Sequence, residues 1–171
     1  LLDAIPNAFL ILNKHRQIVF ANELFIEMIG ANSMDDILGY RVGEILNCEH
    51  ANETPGGCGT TKFCRTCGAA RAQAKALSGK VAVEECRIST IDREALDLSV
   101  SARPLEINEE KFIVFTARDI ANEKRRQALE RTFFHDILNT AGIVSMYAQI
   151  IEMDPDEIHN VDFNLSQITD R

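Results

Sequence analysis

No stretch of this chain stays apolar for the roughly 20 residues that a bilayer-spanning helix needs, so no transmembrane helix is expected within it. It carries neither a signal-peptide pattern nor an initiator methionine. A basic stripe is missing too: 18 Lys and Arg stand against 26 Asp and Glu, for a net charge of −8. Lys124-Arg125-Arg126 is the nearest approach to a cationic cluster and suits a solvated helix face. Phosphate neutralisation requires clustered cations, so nucleic acid is not an expected partner. There is no internal repeat and no low-complexity segment.

What remains is ordinary globular composition, 46% hydrophobic and 26% charged, over 171 residues. That length allows one full domain and a substantial extra element. An odd cysteine count, 5, without a signal peptide argues for a reducing cytoplasm, where thiols bind metals more often than they form bridges. The chain opens on LLDAIPNAF and closes at SQITDR inside a helical pattern. It is therefore expected to be part of a longer protein, cytoplasmic here, whose other segments could anchor it to a membrane.

Four of the five cysteines, Cys48, Cys58, Cys64 and Cys67, fall in one run of 20 residues, CEHANETPGGCGTTKFCRTCG with its trailing glycine. Cys64 and Cys67 form a C-x-x-C followed at once by Gly68, a spacing that lets two thiolates turn onto one metal ion. Cys48 and Cys58 supply two further sulfurs, and His50 a spare nitrogen. Four soft donors suit zinc or an iron–sulfur cluster. Zinc motifs usually show two close pairs, whereas nine residues separate Cys48 from Cys58. Two disulfides, or free thiols in a loop, are the competing readings. Cys86, in VAVEECRIS, alternates with apolar neighbours and reads as a small buried strand residue.

The periodicity divides the chain near residue 120. Phe9-Leu10-Ile11-Leu12 and Gln17-Ile18-Val19-Phe20 flank a polar Asn13-Lys14-His15-Arg16, predicting a hairpin. Asn22 stands as N-cap of a helix over 23–29 that Gly30 ends. Short helices are predicted at 34–38 and 42–47, leading into the cysteine loop, 48–68. A stronger helix is predicted over 69–77, closed by Gly79. Strands follow at 81–91, 94–106 and 111–118. Leu96, Leu98, Val100 and Ala102 alternate with polar residues, so one face of the sheet is buried. The order β-β-α-α-α-β-β-β predicts a small antiparallel sheet with helices on one face.

Beyond residue 120 the pattern is helical. Phe134, Ile137, Ala141, Val144, Ala148 and Ile151 recur three and four apart, a seam for pairing with another helix. Asp154-Pro155-Asp156 predicts a break, after which Ile158, Val161, Leu165 and Ile168 repeat the spacing. Two such helices form a hairpin that dimerises into a four-helix bundle to bury both faces. Beside the seam lies His135, a nucleophile of the kind that accepts phosphoryl groups. Asp136 adjoins it, and Asn139 falls one turn further on the same face. A solvated surface histidine is the plain alternative.

His135-Asp136-x-x-Asn139 resembles the phosphoacceptor box of two-component sensor histidine kinases, although Thr140 stands where many members have proline. Residues from about 122 to 171 resemble their dimerisation and phosphotransfer hairpin, cut off inside its second helix. Ile5-Pro6-Asn7-Ala8, Ile18-Val19-Phe20-Ala21-Asn22, Gly39 and Gly43, and Thr116-Ala117-Arg118-Asp119-Ile120 resemble, in order, the landmarks of a PAS sensory domain. The resemblance implies an α+β fold: a PAS-like five-stranded antiparallel sheet with flanking helices over 1–119, then a connecting helix and helical hairpin over 120–171. It implies a homodimeric kinase that is autophosphorylated on His135, with Asp136 as acid–base partner and Asn139 positioning water. ATP and Mg²⁺ would be held by a kinase domain outside this chain, so the fragment is expected to be inactive alone, and a response regulator would receive the phosphate. The cysteine loop is not a general PAS feature; a redox- or metal-linked input through it is the expectation. The alternative is a PAS dimerisation scaffold with a structural zinc loop and no phosphotransfer.

Overall fold

A computed structural model describes residues 6–153. The chain divides into two compact units, 1–122 and 123 onward, each treated by itself. The first is an antiparallel sheet of five strands in the order β2-β1-β5-β4-β3. These are β1 (Ala8–Asn13), β2 (Ile18–Ala21), β3 (Ala82–Ser89), β4 (Ala95–Ile107) and β5 (Glu110–Asp119). Between β2 and β3 run α1 (Glu23–Ile29), α2 (Val42–Ile45) and α3 (Gly68–Leu77), with 3₁₀ turns at Met34–Asp36 and Phe63–Arg65. The helix α4, Ala121–Met153, follows β5. No helix among the described residues is long and apolar enough to cross a membrane.

The first two strands turn through Asn13, whose Oδ1 accepts from the backbone N–H of His15 and Gln17 at 2.9 and 3.0 Å. The last two are joined by Asn108 and Glu109, both at positive φ, the twist that a two-residue hairpin demands. Leu98, Val100 and Ala102 of β4 lie on the buried face with Leu10, Leu12, Ile113, Phe115 and Ala117. The predicted alternation thus marks the true core. The expected helix at 34–38 contracts to a 3₁₀ turn, and that at 42–47 to the single turn of α2, because Asn47 adopts φ 50° and sends the chain into the cysteine loop. The predicted break at Asp154-Pro155 and the second helix of the hairpin lie outside the described residues.

Asn22 is fully buried and serves two elements. Its Oδ1 caps α1 at the Phe25 N–H, 3.2 Å away, and also accepts from Phe9 of β1 at 3.0 Å. Its Nδ2 donates to the Asn7 carbonyl at 3.0 Å. The cap residue read from the sequence therefore also pins the helix to the start of β1, inside the sheet.

The helix α3 turns Ala69, Ala72, Gln73 and Ala76 inward, a stripe of mostly one-carbon side chains that brings the helix close to the sheet. At its first residue the approach is closest: a methyl on Gly68 would run into the Glu85 carbonyl and the backbone of Cys86 on β3. Gly68 is needed for this contact, not for a left-handed turn. On the outer side Glu84 of β3 binds Arg71 at 2.7 Å and Lys75 at 2.6 Å, both on α3. These two cations, Lys75 first, hold the Glu84 carboxyl below the usual carboxylate range.

Asn22→Ala removes a cap and strands the buried Phe9 N–H, so a loss of about 2–4 kcal/mol is expected in urea unfolding. A loss below about 0.5 kcal/mol would show that the triple contact carries no stability.

Candidate functional site

The four loop cysteines meet at a single cavity of about 180 Å³ in the first unit. It is walled by α2, the loop, the start of α3 and the end of β3, with His50 and Gln73 also lining it. All five cysteines of the chain are free thiols. Among the described residues no three His, Cys, Asp or Glu side chains are grouped so as to hold a metal ion. The predicted donors are thus gathered around one space without closing on one point.

The cysteines are placed by α2, by the loop itself and by the start of α3. Cys48 follows α2; its N–H donates to Gly43 at 2.8 Å and it bridges to Thr90 at the end of β3. Cys58 is held by α2: its N–H donates to Glu44 Oε1 at 3.2 Å, and Arg41 Nη1 donates to its carbonyl at 2.9 Å and to that of Gly56. Gly43 leaves the room that the Cys58 sulfur occupies. Cys64 Sγ accepts from the Gly59 N–H at 3.2 Å and lies 3.2 Å from Thr61 Oγ1. Cys67 is the N-cap of α3. The loop is fastened mainly through its backbone, which accounts for its regular placement despite little apolar content.

The electrostatics differ around the cavity. Burial pushes the Cys58 thiol up to about 11 and raises that of Cys48. Cys67 is held below the usual thiol range, first by the Cys86 thiol bonded to it and then by the N–H groups of Ala70 and Ala69, against the effect of burial. Arg16, reaching over from the β1–β2 turn, lies 3.5 Å from the Gly59 carbonyl. Its own pKa is lowered by burial and by Arg41 nearby.

Three features were not legible in the sequence. His50, expected as a spare nitrogen, stacks on Phe63 at 3.9 Å, with Nδ1 2.5 Å from Glu53 and Nε2 3.4 Å from Glu49. Cys86 is buried on β3 as its alternation implies, but its sulfur lies 3.5 Å from that of Cys67. Gln73 is only 6% exposed and lines the cavity, and its carboxamide has no hydrogen-bond partner among the described residues. Helical spacing alone would have placed it as a polar residue at the edge of a buried stripe.

The second candidate site lies on α4, in the other unit. His135 is well exposed, its side chain 71% accessible. Asp136 Oδ1 is 3.4 Å from its Nδ1, and Asn139 Nδ2 is 3.2 Å from Nδ1 and 3.4 Å from Nε2. Thr140 Oγ1 donates to the Asp136 carbonyl at 2.8 Å, one turn back along the helix. Helix geometry thus groups the three residues that spacing had singled out. Phe134, Ile137 and Val144 of the expected seam are exposed on α4, as are Phe133 and Leu138.

A family model described as PAS domain matches residues 6–122. A search of the curated proteins finds no match. Among solved structures the chain is similar to the PAS domain of nitrogen regulation protein NR(II) from Vibrio parahaemolyticus, at 18% identity and TM-score 0.52, covering 70% of this chain and 94% of that one. It is similar to a Rhodobacter sphaeroides LOV protein, at 15% identity and TM-score 0.50, covering 70% of this chain and 62% of that one. It is also similar to an RNA-binding light-oxygen-voltage receptor, at 14% identity and TM-score 0.54, covering 76% and 34%. Likeness at these identities is likeness of fold.

Because Gln73 loses no protein hydrogen bond on replacement, Gln73→Leu is expected to leave the metal-free protein as stable or up to about 1–2 kcal/mol more stable. Urea midpoints check this, and a clear loss of stability would mean that the amide is satisfied within the protein.

Proposed function

This chain belongs to the PAS-domain family, and from that premise we propose that it is the sensory and phosphoacceptor portion of a two-component sensor histidine kinase. Its input is redox- or metal-linked through the four-cysteine cavity. The observation that carries the input half is the convergence of Cys48, Cys58, Cys64 and Cys67 on one cavity.

The residues present fit a bound inorganic group. They offer four thiols, an N–H directed at the Cys64 sulfur, and the carboxamide of Gln73 without a protein partner. A single ion needs its sulfur donors within about 2.3 Å of one point. Four thiols spread round about 180 Å³ suit an iron–sulfur cluster better than a lone zinc. Such a cluster, when bound, exchanges single electrons. The chain's own contribution is to hold the sulfurs, to donate hydrogen bonds toward them and to limit water. Because the ligands are carried by α2, the loop and the start of α3, a change in their spacing is a change in how these elements pack on the sheet.

The output half rests on the grouping of His135, Asp136 and Asn139. With Nδ1–H turned toward Asp136, Nε2 keeps its lone pair for in-line attack on the γ-phosphorus of ATP. The nucleotide and Mg²⁺ would be supplied by a kinase domain of the full protein. The bond to the ADP oxygen breaks as the N–P bond forms. The phosphoryl group then passes to a response regulator, and Asn139 positions water for its removal. The exposed apolar residues of α4 are the natural surface for pairing two copies of the chain into a bundle.

Protein purified without oxygen is expected to be brown, to contain iron and sulfide, and to lose both in a Cys64→Ser, Cys67→Ser variant. A colourless protein with one zinc per chain would sink the electron-exchange reading and make the loop a structural staple.

Incubation with a cognate kinase domain, ATP and Mg²⁺ is expected to place acid-labile phosphate on the chain, abolished in His135→Gln. Labelling that persists in His135→Gln, or none in the parent, would leave a PAS scaffold without phosphotransfer.

A further inference from the structure

We propose that Cys67 and Cys86 form a peroxide-sensitive dithiol, a modification site that shares Cys67 with the four-cysteine set and takes its second sulfur from the sheet. Among the described residues they are the one pair of cysteines whose sulfurs touch, at 3.5 Å. The contact is built in. Gly68 lets the start of α3 lie directly on the backbone of Glu85 and Cys86. Arg71 and Lys75 clamp the next two turns onto Glu84 at 2.7 and 2.6 Å. The residue before Gly68 and the residue after Glu85 are thereby held side by side. Reaching a disulfide length of about 2.05 Å asks for an approach of roughly 1.5 Å, within the reach of small side-chain rotations.

The two thiols are unequal in access. Cys67 lines the cavity, whereas Cys86 is 2% exposed beneath it. An incoming hydroperoxide therefore meets Cys67 first. The Cys67 sulfur attacks the terminal peroxide oxygen, the O–O bond breaks, and the alcohol (or water, from hydrogen peroxide) leaves, producing a sulfenic acid. The Cys86 sulfur then attacks the Cys67 sulfur, the S–O bond breaks and water leaves. Two thiols give up two electrons and the peroxide takes them, so the step balances without another reductant. Cys86 acts as the resolving thiol because its sulfur is the one already in contact with that of Cys67. The pair does not require the cavity to hold a metal. If Cys67 is also a ligand, as proposed above, disulfide formation and loading exclude each other through that one sulfur.

The test uses the whole chain, reduced and stripped with a chelator, and then exposed to one equivalent of hydrogen peroxide. Expected are the loss of two thiols per chain, a mass lower by two hydrogens, and a Cys67–Cys86 cross-linked peptide after alkylation and digestion. Cys86→Ser is expected to stop at a Cys67 sulfenic acid that a 1,3-dicarbonyl probe captures. Should that variant fail to fold, Cys67→Ser serves instead, and Cys86 should then stay fully reduced. A disulfide between other cysteines, or Cys86 recovered fully alkylated from the peroxide-treated parent, would overturn the proposal. Metal analysis of the unstripped protein is read separately, so failure here leaves the four-cysteine reading standing.

Discussion

The backbone-to-backbone contact of Gly68 with Glu85 and Cys86 is the constraint on which the rest of the first unit depends. It sets the depth at which α3 sits on the sheet. The alanine stripe of α3 permits that depth, and the Glu84 pairs with Arg71 and Lys75 secure it from the solvent side. Such surface ion pairs contribute little stability each. Their role here is geometric: they fix rotation about the helix axis once the close approach has fixed distance. Cys67 then has to stand in the cavity wall beside Cys86, with Gln73 facing inward further along α3.

The cysteine loop solves a different problem. It is long, rich in glycine and poor in apolar residues, so burial cannot hold it. Arg41, the N-cap of α2, and Glu44 within it hold the loop instead, one donating to loop carbonyls and the other accepting a loop N–H. Arg16 reaches it from the opposite side, out of the first hairpin. The cavity thus has one rigid wall, β3 with α3, and one wall held by polar contacts to Arg41 and Glu44. Polar contacts of this type exchange with water more readily than packed apolar surface separates. The asymmetry leaves the loop and α2 as the more easily displaced side of the cavity.

On α4 the relation between sequence and structure is direct. His135, Asp136 and Asn139 are grouped because a helix brings residues four apart together, and no tertiary contact is required. The same holds for the apolar seam, recognisable from spacing alone, of which Phe134, Ile137 and Val144 stand exposed in this single chain.

The sequence by itself determined the strands and helices of the first unit, the Asn22 cap, the cysteine-rich loop and the His135 box. Each rests on short-range periodicity, a turn residue or spacing along one helix. It also carried the PAS resemblance, through landmarks whose order matters more than any one of them. Only the tertiary structure decided what the thiols face. It set His50 against Glu49 and Glu53, left the Gln73 carboxamide without a partner among the described residues, and brought Cys86 of β3 against Cys67. Cys67 and Cys86 are 19 positions apart on different elements. Their meeting follows from the depth at which α3 docks on the sheet, a long-range packing outcome to which no local pattern of residues is sensitive.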